Sequence, residues 1–379
     1  MADGSVHGFT QDRFAEVRTV FEGHLASGED VGASFCATQD GEIVIDLWGG
    51  HADAEKTRPW VEDTIVNVYS TTKTMCALTA LLVADRGELD FHAPVAKYWP
   101  EFAANGKEGV TVAHLMSHSA GLSGWKEPIN GDVLYDWDKA TSLLAAQAPY
   151  WEPGTKAGYH ALTQGYLVGE VVRRITGKTL GTVFREEIAG PLGADFHIGL
   201  PASEDGRVAD LIPPPPGGGI SDSAQSELTK NMATNPPIDV SATRTRAWRG
   251  AEIPAAGGTG NARSVARVQS ILANGGVMDG KRFLSEAGCR KALELQIEGP
   301  DLVLGVPARF GLGYGLAGGA VPLPNPNTLY WGGYGGSLVI VDMDARTTLA
   351  YVMNRMASTT VGDMRAFGLA MATWGALAA

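Results

Sequence analysis

Ser70 and Lys73 are the residues whose types and spacing point most directly to chemistry. Apolar residues recur at helical spacing between positions 75 and 84, which predicts a helix that begins near Ser70 and ends near Gly87. Side chains three positions apart share a helix face, so the Lys73 amine can reach the Ser70 hydroxyl. Because a lysine beside a serine can replace the histidine of a catalytic triad, the pair indicates a serine nucleophile activated by an amine.

A second serine and lysine at the same spacing, Ser123 and Lys126, show that the pattern alone is weak. This copy lies among Gly121, Gly124 and Pro128, a composition typical of a loop rather than of a helix start. Any single pair of this kind also fits a serine that caps a helix and a lysine on the surface. The catalytic hypothesis for Ser70 therefore depends on partners further along the chain.

The composition limits the class of protein. The chain has 379 residues, of which 44% are hydrophobic and 19% charged, enough to form a large core. The formal net charge of −12 argues against nucleic-acid and anionic membrane partners, and no apolar run approaches the roughly 18 residues of a spanning helix. Cys36, Cys76 and Cys289 fit neither a disulfide framework nor a metal site, which favours a reducing compartment, the cytoplasm.

Two histidines offer an alternative chemistry. His114 and His118 lie four positions apart in a predicted helix, a spacing that could hold a metal ion. No acidic residue or third histidine stands near them in the sequence. We therefore favour a packed helix end, and we expect the protein to use neither a metal nor another cofactor.

Strand-like runs occur at both ends of the chain, and helical patterns dominate the middle. Runs rich in β-formers at 32–38 and 42–48 flank Gln39-Asp40-Gly41, which is typical of a hairpin. Two more such runs, 338–342 and 348–354, lie near the C-terminus. We expect an α/β (α+β) fold in which an antiparallel sheet built from both chain ends is flanked by helices and carries an inserted, mostly helical lobe.

The whole chain, 1–379, is expected to form a single catalytic unit. Residues 1–65 and 254–379 would form the sheet lobe, and residues 66–253 would form the mostly helical lobe. Prolines and glycines concentrate between positions 200 and 250, which predicts an irregular loop bordering the site. The interface between the lobes is the expected place for a pocket.

Five stretches, taken in order, resemble the serine β-lactamase and penicillin-binding-protein superfamily, in particular the class C-like branch that includes family VIII carboxylesterases. Each motif is weak alone, but the order and spacing are specific, and the resemblance covers roughly residues 10 to 375. It implies a β-lactamase/transpeptidase-like fold. The stretches are Ser70-Thr-Thr-Lys73, His114-Leu-Met-Ser-His118-Ser-Ala-Gly-Leu, Tyr159 with Gly165-Tyr-Leu-Val-Gly, Pro191-Leu-Gly, and Trp331-Gly332-Gly333.

The resemblance implies catalytic roles for three side chains. Ser70 would be the acylated nucleophile, Lys73 its base partner, and Tyr159 the group that shares the proton and delivers it to the leaving alkoxide. A phenol has an ordinary pKa near 10, so we expect the Lys73 ammonium to favour the phenolate. The backbone N–H groups of Ser70 and of Tyr334, the latter on an edge strand, would form the oxyanion hole.

Two departures from class C β-lactamases bear on the substrate. Where those enzymes have Tyr-x-Asn, this chain has Tyr159-His160-Ala161, and where they have Lys-Thr-Gly, it has Trp331-Gly332-Gly333. The second motif resembles the W-x-G pattern of family VIII esterases. Both changes weaken recognition of an amide and a carboxylate but leave acyl transfer from an ester intact. Trp331, Gly332, Gly333 and Tyr69 are therefore expected to contact an uncharged substrate.

These expectations predict a serine carboxylesterase that hydrolyses small short-chain esters through an acyl-enzyme on Ser70. A β-lactam or small-amide hydrolase, or an acyltransferase using the same acyl-enzyme, is the alternative within the enzyme class. An inactive binding module resembling a penicillin-binding protein is the alternative outside it. The G-x-S-x-G motif of α/β-hydrolases is absent from the sequence, which disfavours that esterase fold. The expected partner is a small-molecule ester, and the sequence does not set the oligomeric state.

Overall fold

The computed structural model describes residues 5–215, 226–319, 321–360 and 362–378. Its strands are short in the middle of the chain and long at both ends. They are β1 Val6–Thr10, β2 Gly32–Gln39, β3 Glu42–Gly50, β4 Val66–Asn67, β5 Phe196–His197, β6 Thr259–Gly260, β7 Val277–Met278, β8 Lys281–Arg282, β9 Ile297–Pro300, β10 Pro307–Phe310, β11 Gly315–Leu316, β12 Thr328–Gly332, β13 Leu338–Asp342 and β14 Thr347–Met353.

The α-helices lie mainly between the two groups of long strands and at the C-terminus. They are α1 Ala15–Ser27, α2 Thr72–Asp85, α3 Val112–Met116, α4 Trp137–Ala146, α5 Thr163–Thr176, α6 Leu180–Phe184, α7 Gly190–Leu192, α8 Glu227–Thr234, α9 Arg246–Gly250, α10 Ala262–Ala273, α11 Glu286–Arg290 and α12 Met364–Ala378.

The main sheet joins the two ends of the chain. Its strand order is β1-β3-β2-β14-β13-β12-β11-β10-β9, and every neighbouring pair is antiparallel. The N-terminal hairpin turns at Asp40 and Gly41 as predicted, and its strand β2 pairs directly with the C-terminal strand β14. Helices α10 and α1 pack on the sheet, and α12 packs against α1. The predicted fold class, an antiparallel sheet built from both chain ends and flanked by helices, is confirmed.

Helix α2 forms the centre of the molecule. Every residue from Thr72 to Ala84 is buried, and the helix packs against α5, α6, α10 and α11. A helix that is buried on all sides is mainly apolar, which explains the run of leucine, alanine and methionine that follows Lys73. The helix ends just before Gly87, whose positive φ of 77° is the left-handed conformation of the predicted glycine stop.

A small sheet of order β4-β6-β5 ties the segment before α2 to the segment before α10. Asn67 pairs with Thr259, so residues 254–260 lie beside the start of α2. The division of the chain into lobes at residues 65 and 254 stays a prediction. Of the irregular loop predicted between 200 and 250, residues 216–225 lie outside the described residues; the remainder is more regular than expected, because it includes helices α8 and α9.

Arg365, on the last helix, forms a buried ion pair with Asp30 that supports the end of β12. One guanidinium nitrogen donates to Asp30 Oδ1 at 2.8 Å and the other to the carbonyl of Gly335 at 3.1 Å. The Tyr351 hydroxyl also donates to Asp30 Oδ1, at 2.6 Å. Burial raises the pKa of Asp30, and the Arg365 charge opposes that effect. This network fixes the turn that follows Gly333.

In the described part of the chain, the three cysteines are buried free thiols. None of the helices described is both long enough and apolar enough to cross a membrane. The described histidine, cysteine, aspartate and glutamate side chains form no group of three or more that could hold a metal ion.

We expect Arg365→Met to lower the free energy of unfolding by about 3–5 kcal/mol, because it leaves the buried carboxylate of Asp30 and the largely buried carboxylate of Asp363 without their shared cation. Arg346→Met is the matched control. Arg346 pairs with Asp40 on the surface, and exposed pairs contribute about 0–1 kcal/mol. Urea denaturation followed by tryptophan fluorescence measures both values. Equal losses in the two variants would show that the buried pair does not stabilise the fold.

Candidate active site

The structure brings Ser70, Lys73 and Tyr159 together. Ser70 lies in the 3₁₀ turn Tyr69–Thr71, and Lys73 follows in the first turn of α2. The Ser70 hydroxyl oxygen lies 3.1 Å from Lys73 Nζ and 2.6 Å from the Tyr159 hydroxyl. The serine oxygen is therefore in hydrogen-bond contact with an amine and a phenol, the geometry that a nucleophile needs.

Tyr69 makes a sharp turn immediately before the serine. Its φ is 43°, a left-handed conformation that is uncommon for a residue with a side chain. Two hydrogen bonds hold it: its N–H donates to Asn67 Oδ1 at 3.2 Å, and its carbonyl accepts from the Thr72 hydroxyl at 2.5 Å. Strained backbone of this kind concentrates at functional sites, and here it precedes the candidate nucleophile.

Lys73 is buried without a carboxylate partner. Its side chain is 1% exposed, and among the described residues no aspartate or glutamate forms a salt bridge with it. Instead, its amine donates to the backbone carbonyls of Ala161 at 2.6 Å and Ala255 at 3.0 Å. Desolvation by burial lowers the pKa of Lys73 to about 7. A large fraction of the amine is therefore uncharged at neutral pH, as a general base requires.

Tyr159 has a charge state that differs from the sequence expectation. Burial raises the pKa of its hydroxyl, while hydrogen bonds with Ser70 and Trp331 lower it to a smaller extent. The expectation that a Lys73 ammonium favours the phenolate is wrong, because burial opposes charge on the amine as well as on the phenol. Both groups are favoured in their neutral forms.

Trp331, on β12, contacts Tyr159 rather than only lining the substrate site. Its ring meets that of Tyr159 with centroids 6.0 Å apart, and its indole N–H lowers the pKa of the Tyr159 hydroxyl. Its ring stacks on His118 with centroids 5.3 Å apart and also meets Phe310 at 5.4 Å. The sequence comparison treated Trp331 as an uncharged aromatic replacement for a lysine and did not predict its contact with Tyr159.

His118 and His160 are buried next to Tyr159 and form hydrogen bonds with the surrounding backbone. His118 Nδ1 accepts the backbone N–H of His160 at 3.0 Å, and His160 Nε2 accepts that of Leu122 at 3.0 Å. Burial lowers the pKa of both rings, that of His160 to about 3. The His118 ring lies 5.0 Å from the ring of Tyr159. These neutral imidazoles serve as packing and hydrogen-bonding groups beneath the site.

The turn after β12 lies directly against Ser70. A Cβ added at Gly333 would come within 2.2 Å of the Val68 carbonyl and 2.3 Å of Ser337 Oγ, so only glycine fits. The ring of Tyr334 meets that of Tyr69 at 5.6 Å. The prediction that Tyr334 lies on an edge strand is wrong, because β12, the strand that precedes it, is flanked by β13 and β11. However, β11 has only two residues and pairs no further along β12 than Tyr330, which leaves the end of β12 open.

Sequence motifs could not identify the groups that hold the lysine. The carbonyls of Ala161 and Ala255 belong to the backbone, so their role does not depend on residue type. Ala161 occupies the position at which the class C pattern has an asparagine.

The side chains of the second serine–lysine pair, Ser123 and Lys126, are not hydrogen-bonded to each other. Lys126 is exposed and donates to the Pro149 carbonyl at 3.3 Å, whereas Ser123 is buried.

Two pockets meet at Tyr159. The nucleophile pocket, of about 180 Å³, is lined by Tyr69, Ser70, Tyr334 and residues of the 232–248 segment, among others. The second pocket, of about 320 Å³, lies behind Trp331 and Gly332. Tyr159 and Thr360 line both. The predicted irregular segment therefore does border the site.

A family model described as Beta-lactamase matches residues 17–371. The match covers most of the chain, so the protein belongs to the β-lactamase family. It is accordingly a serine hydrolase, and the resemblance inferred from the motifs is confirmed.

Relatives with similar sequences and structures agree with this assignment. Esterase/beta-lactamase LipL of Mycobacterium tuberculosis is 38% identical over 370 residues, covering 94% of this chain and 84% of LipL. The crystal structure of a family VIII carboxylesterase is 44% identical, with a TM-score of 0.93 over 98% of this chain and 100% of that one. A penicillin-binding protein homologue from Caulobacter crescentus is 37% identical, with a TM-score of 0.90 over the same shares.

We expect a fluorophosphonate probe to label Ser70, because its oxygen is the one in contact with the Lys73 amine. Ser70→Ala should abolish labelling, and Ser123→Ala, the matched control, should not change it. Peptide mass spectrometry of the labelled protein identifies the site. Labelling at Ser123, or labelling that persists in Ser70→Ala, would contradict the assignment.

Proposed function

We propose that the protein is a carboxylesterase that hydrolyses small short-chain esters through an acyl-enzyme on Ser70. The observation that carries the proposal is the position of the Ser70 oxygen, 3.1 Å from a buried amine and 2.6 Å from a buried phenol. Relatives named as esterases and a neighbouring structure named as a family VIII carboxylesterase support it.

The proposed proton arrangement uses each donor once. Neutral Lys73 has two N–H groups, which match the carbonyls of Ala161 and Ala255, and one lone pair that can accept the Ser70 proton. Tyr159 donates to the Ser70 oxygen, and Trp331 donates to the Tyr159 oxygen. The hydrogen bonds therefore run in one direction, from the indole to the lysine lone pair.

The reaction follows from this arrangement. The Ser70 oxygen attacks the ester carbonyl carbon while its proton passes to Lys73. Tyr159 then protonates the leaving alkoxide, and the Lys73 ammonium restores the proton of the tyrosine. The C–O bond to the alcohol breaks and leaves the acyl group on Ser70. Water repeats the sequence in reverse and releases the acid.

The negative charge on the carbonyl oxygen needs two donors in this scheme. We assign them to the backbone N–H groups of Ser70 and Tyr334. The close approach of Gly333 to the Ser70 turn supports this assignment, since a Cβ at Gly333 would lie 3.3 Å from Ser70 N. Donors fixed by the backbone need no rearrangement when charge develops, which is the main source of such stabilisation.

The lining of the two pockets favours uncharged substrates. Among the described residues that line them, Asp301 carries the one charged side chain, and it is negative. None of these described lining residues is a cation that could attract the carboxylate of a β-lactam. Trp331 and Ala161 stand where the class C pattern has a lysine and an asparagine, and both leave an apolar surface.

Two alternatives rank below the esterase. A slow β-lactam hydrolase is supported by LipL, whose name combines the two activities. The strained ring of a β-lactam reacts with an activated serine even without a carboxylate site. An inactive binding module is disfavoured, because Ser70, Lys73 and Tyr159 are all present and in hydrogen-bond contact.

Two further expectations remain proposals. We propose that the chain acts as a single catalytic unit divided into the lobes defined above. We also propose a cytoplasmic location, which the buried free thiols of Cys36, Cys76 and Cys289 support.

We expect kcat/KM for p-nitrophenyl butyrate to lie far above that for a chromogenic cephalosporin. An ion pair and an amide hydrogen bond in such a site contribute about 1–3 kcal/mol each, so their absence lowers the preference for β-lactams by about one to four decades relative to the class C pattern. Both substrates are measured on one preparation, with Ser70→Ala as the background. A cephalosporin value equal to or above the ester value would favour a β-lactamase instead.

A further inference from the structure

The two pockets that meet at Tyr159 differ in what they contain. The nucleophile pocket is lined by Ser70 and by Tyr334, the proposed oxyanion donor. The pocket behind Trp331 is lined by neither of them, but it shares Tyr159, the proposed acid. The acyl group remains bound to Ser70 after the first step, so it must lie in the pocket that Ser70 lines. The departing alcohol needs only the proton of Tyr159.

We infer that the pocket behind Trp331 binds the alcohol part of the ester and that it selects bulky apolar alcohols, aromatic ones in particular. We call it the alcohol pocket. The inference rests on the proposed function and names the substrate class of the same site. Its walls are mainly apolar or aromatic, and they include Leu304, Ala308, Phe310, Val321, Tyr330 and Trp331.

The sizes of the pockets support this orientation. The alcohol pocket measures about 320 Å³, against about 180 Å³ for the nucleophile pocket. Phe310 and Trp331 meet at 5.4 Å and present aromatic surface to the cavity. An aryl group buried between such surfaces gains free energy from both area and ring contacts. The preferred ester therefore has a short acyl chain and a larger alcohol.

The loop that forms one wall is tied to the acid itself. Asp301 Oδ1 accepts the backbone N–H groups of Tyr159 at 3.1 Å, Val303 at 2.9 Å and Leu304 at 2.8 Å. Asp301 is 2% exposed, and its other carboxylate oxygen, Oδ2, has no hydrogen-bond partner among the described residues. These bonds hold the wall and Tyr159 in a fixed arrangement, and in the inferred orientation the alcohol oxygen lies near the Tyr159 hydroxyl.

An activity follows from this assignment. An apolar alcohol bound in this pocket occupies the position from which water must attack the acyl carbon of the acyl-enzyme. The alcohol oxygen forms a bond to the acyl carbon, and the bond from that carbon to Ser70 Oγ breaks. The alcohol gives its proton to the Lys73/Tyr159 pair, and the pair returns a proton to Ser70. The product is a new ester, and no further reactant is needed. Transfer to bulky apolar alcohols should therefore compete with hydrolysis.

Two isomeric esters test the orientation on the unmodified protein. 2-Phenylethyl acetate places the phenyl group on the alcohol, and ethyl phenylacetate places it on the acid. We expect kcat/KM, divided by each ester's rate of hydrolysis by hydroxide, to favour 2-phenylethyl acetate by about tenfold or more. A preference for ethyl phenylacetate would overturn the assignment. If neither these esters nor p-nitrophenyl butyrate is hydrolysed, the proposed function fails instead.

Matched substitutions locate the effect. Ala308→Phe fills the alcohol pocket, and Ala233→Phe fills the nucleophile pocket. With p-nitrophenyl acetate as donor and 2-phenylethanol as acceptor, we expect Ala308→Phe to lower the ratio of 2-phenylethyl acetate to acetate by about tenfold. The ratio compares two fates of one acyl-enzyme, so partial loss of active protein does not change it. A fall of that size in Ala233→Phe, with Ala308→Phe unaffected, would overturn the inference.

Discussion

The burial of the Lys73 amine, without a counter-ion, is the constraint on which the rest of the site depends. A fully buried ammonium would need an anion, and the structure supplies two backbone carbonyls in its place. Desolvation then lowers the pKa of Lys73 to about 7. A neutral amine can accept the proton of Ser70, whereas a charged one cannot. The same burial keeps Tyr159 protonated and able to act as an acid.

The surrounding fold fixes the carbonyl of Ala255. The segment that carries Ala255 is bound to the start of α2 by the β4–β6 pairing and by the bond from Gly258 N to Thr72 Oγ1 at 2.9 Å. The side-chain amide of Asn67 also donates to the Ala256 carbonyl at 3.1 Å. The end of β12 lies against the same turn, where Gly333 leaves no space for a side chain. The main sheet, α2 and the small sheet therefore converge on one residue, Ser70.

The sequence predicted what depends on residue type and local spacing. The Asp40–Gly41 turn, the stop at Gly87 and the contact of Ser70 with Lys73 all follow from rules that act over a few residues. The contact with Tyr159 spans 89 positions and came from family motifs, since spacing alone cannot set so distant a contact.

Other features could not be predicted, for physical reasons. The carbonyls that hold Lys73 have no side-chain signature, and the charge states of Lys73 and Tyr159 depend on burial that a motif does not record. The contact of Arg365 with the Gly335 carbonyl depends on how the last helix packs. The helices of the 226–250 segment are short, and the prolines and polar residues around them leave too few apolar positions to reveal a helical period.

The pH dependence of kcat/KM for p-nitrophenyl butyrate, measured between about pH 5 and 10, tests the central claim most directly, because it reports the ionisation of the free enzyme. Protonated Lys73 cannot accept the Ser70 proton, so the rate should be low in acid. It should rise with pH through an apparent pKa of about 7 and then level off. A profile that is flat over this range, or one that rises only near the ordinary lysine value of about 10.4, would contradict the account.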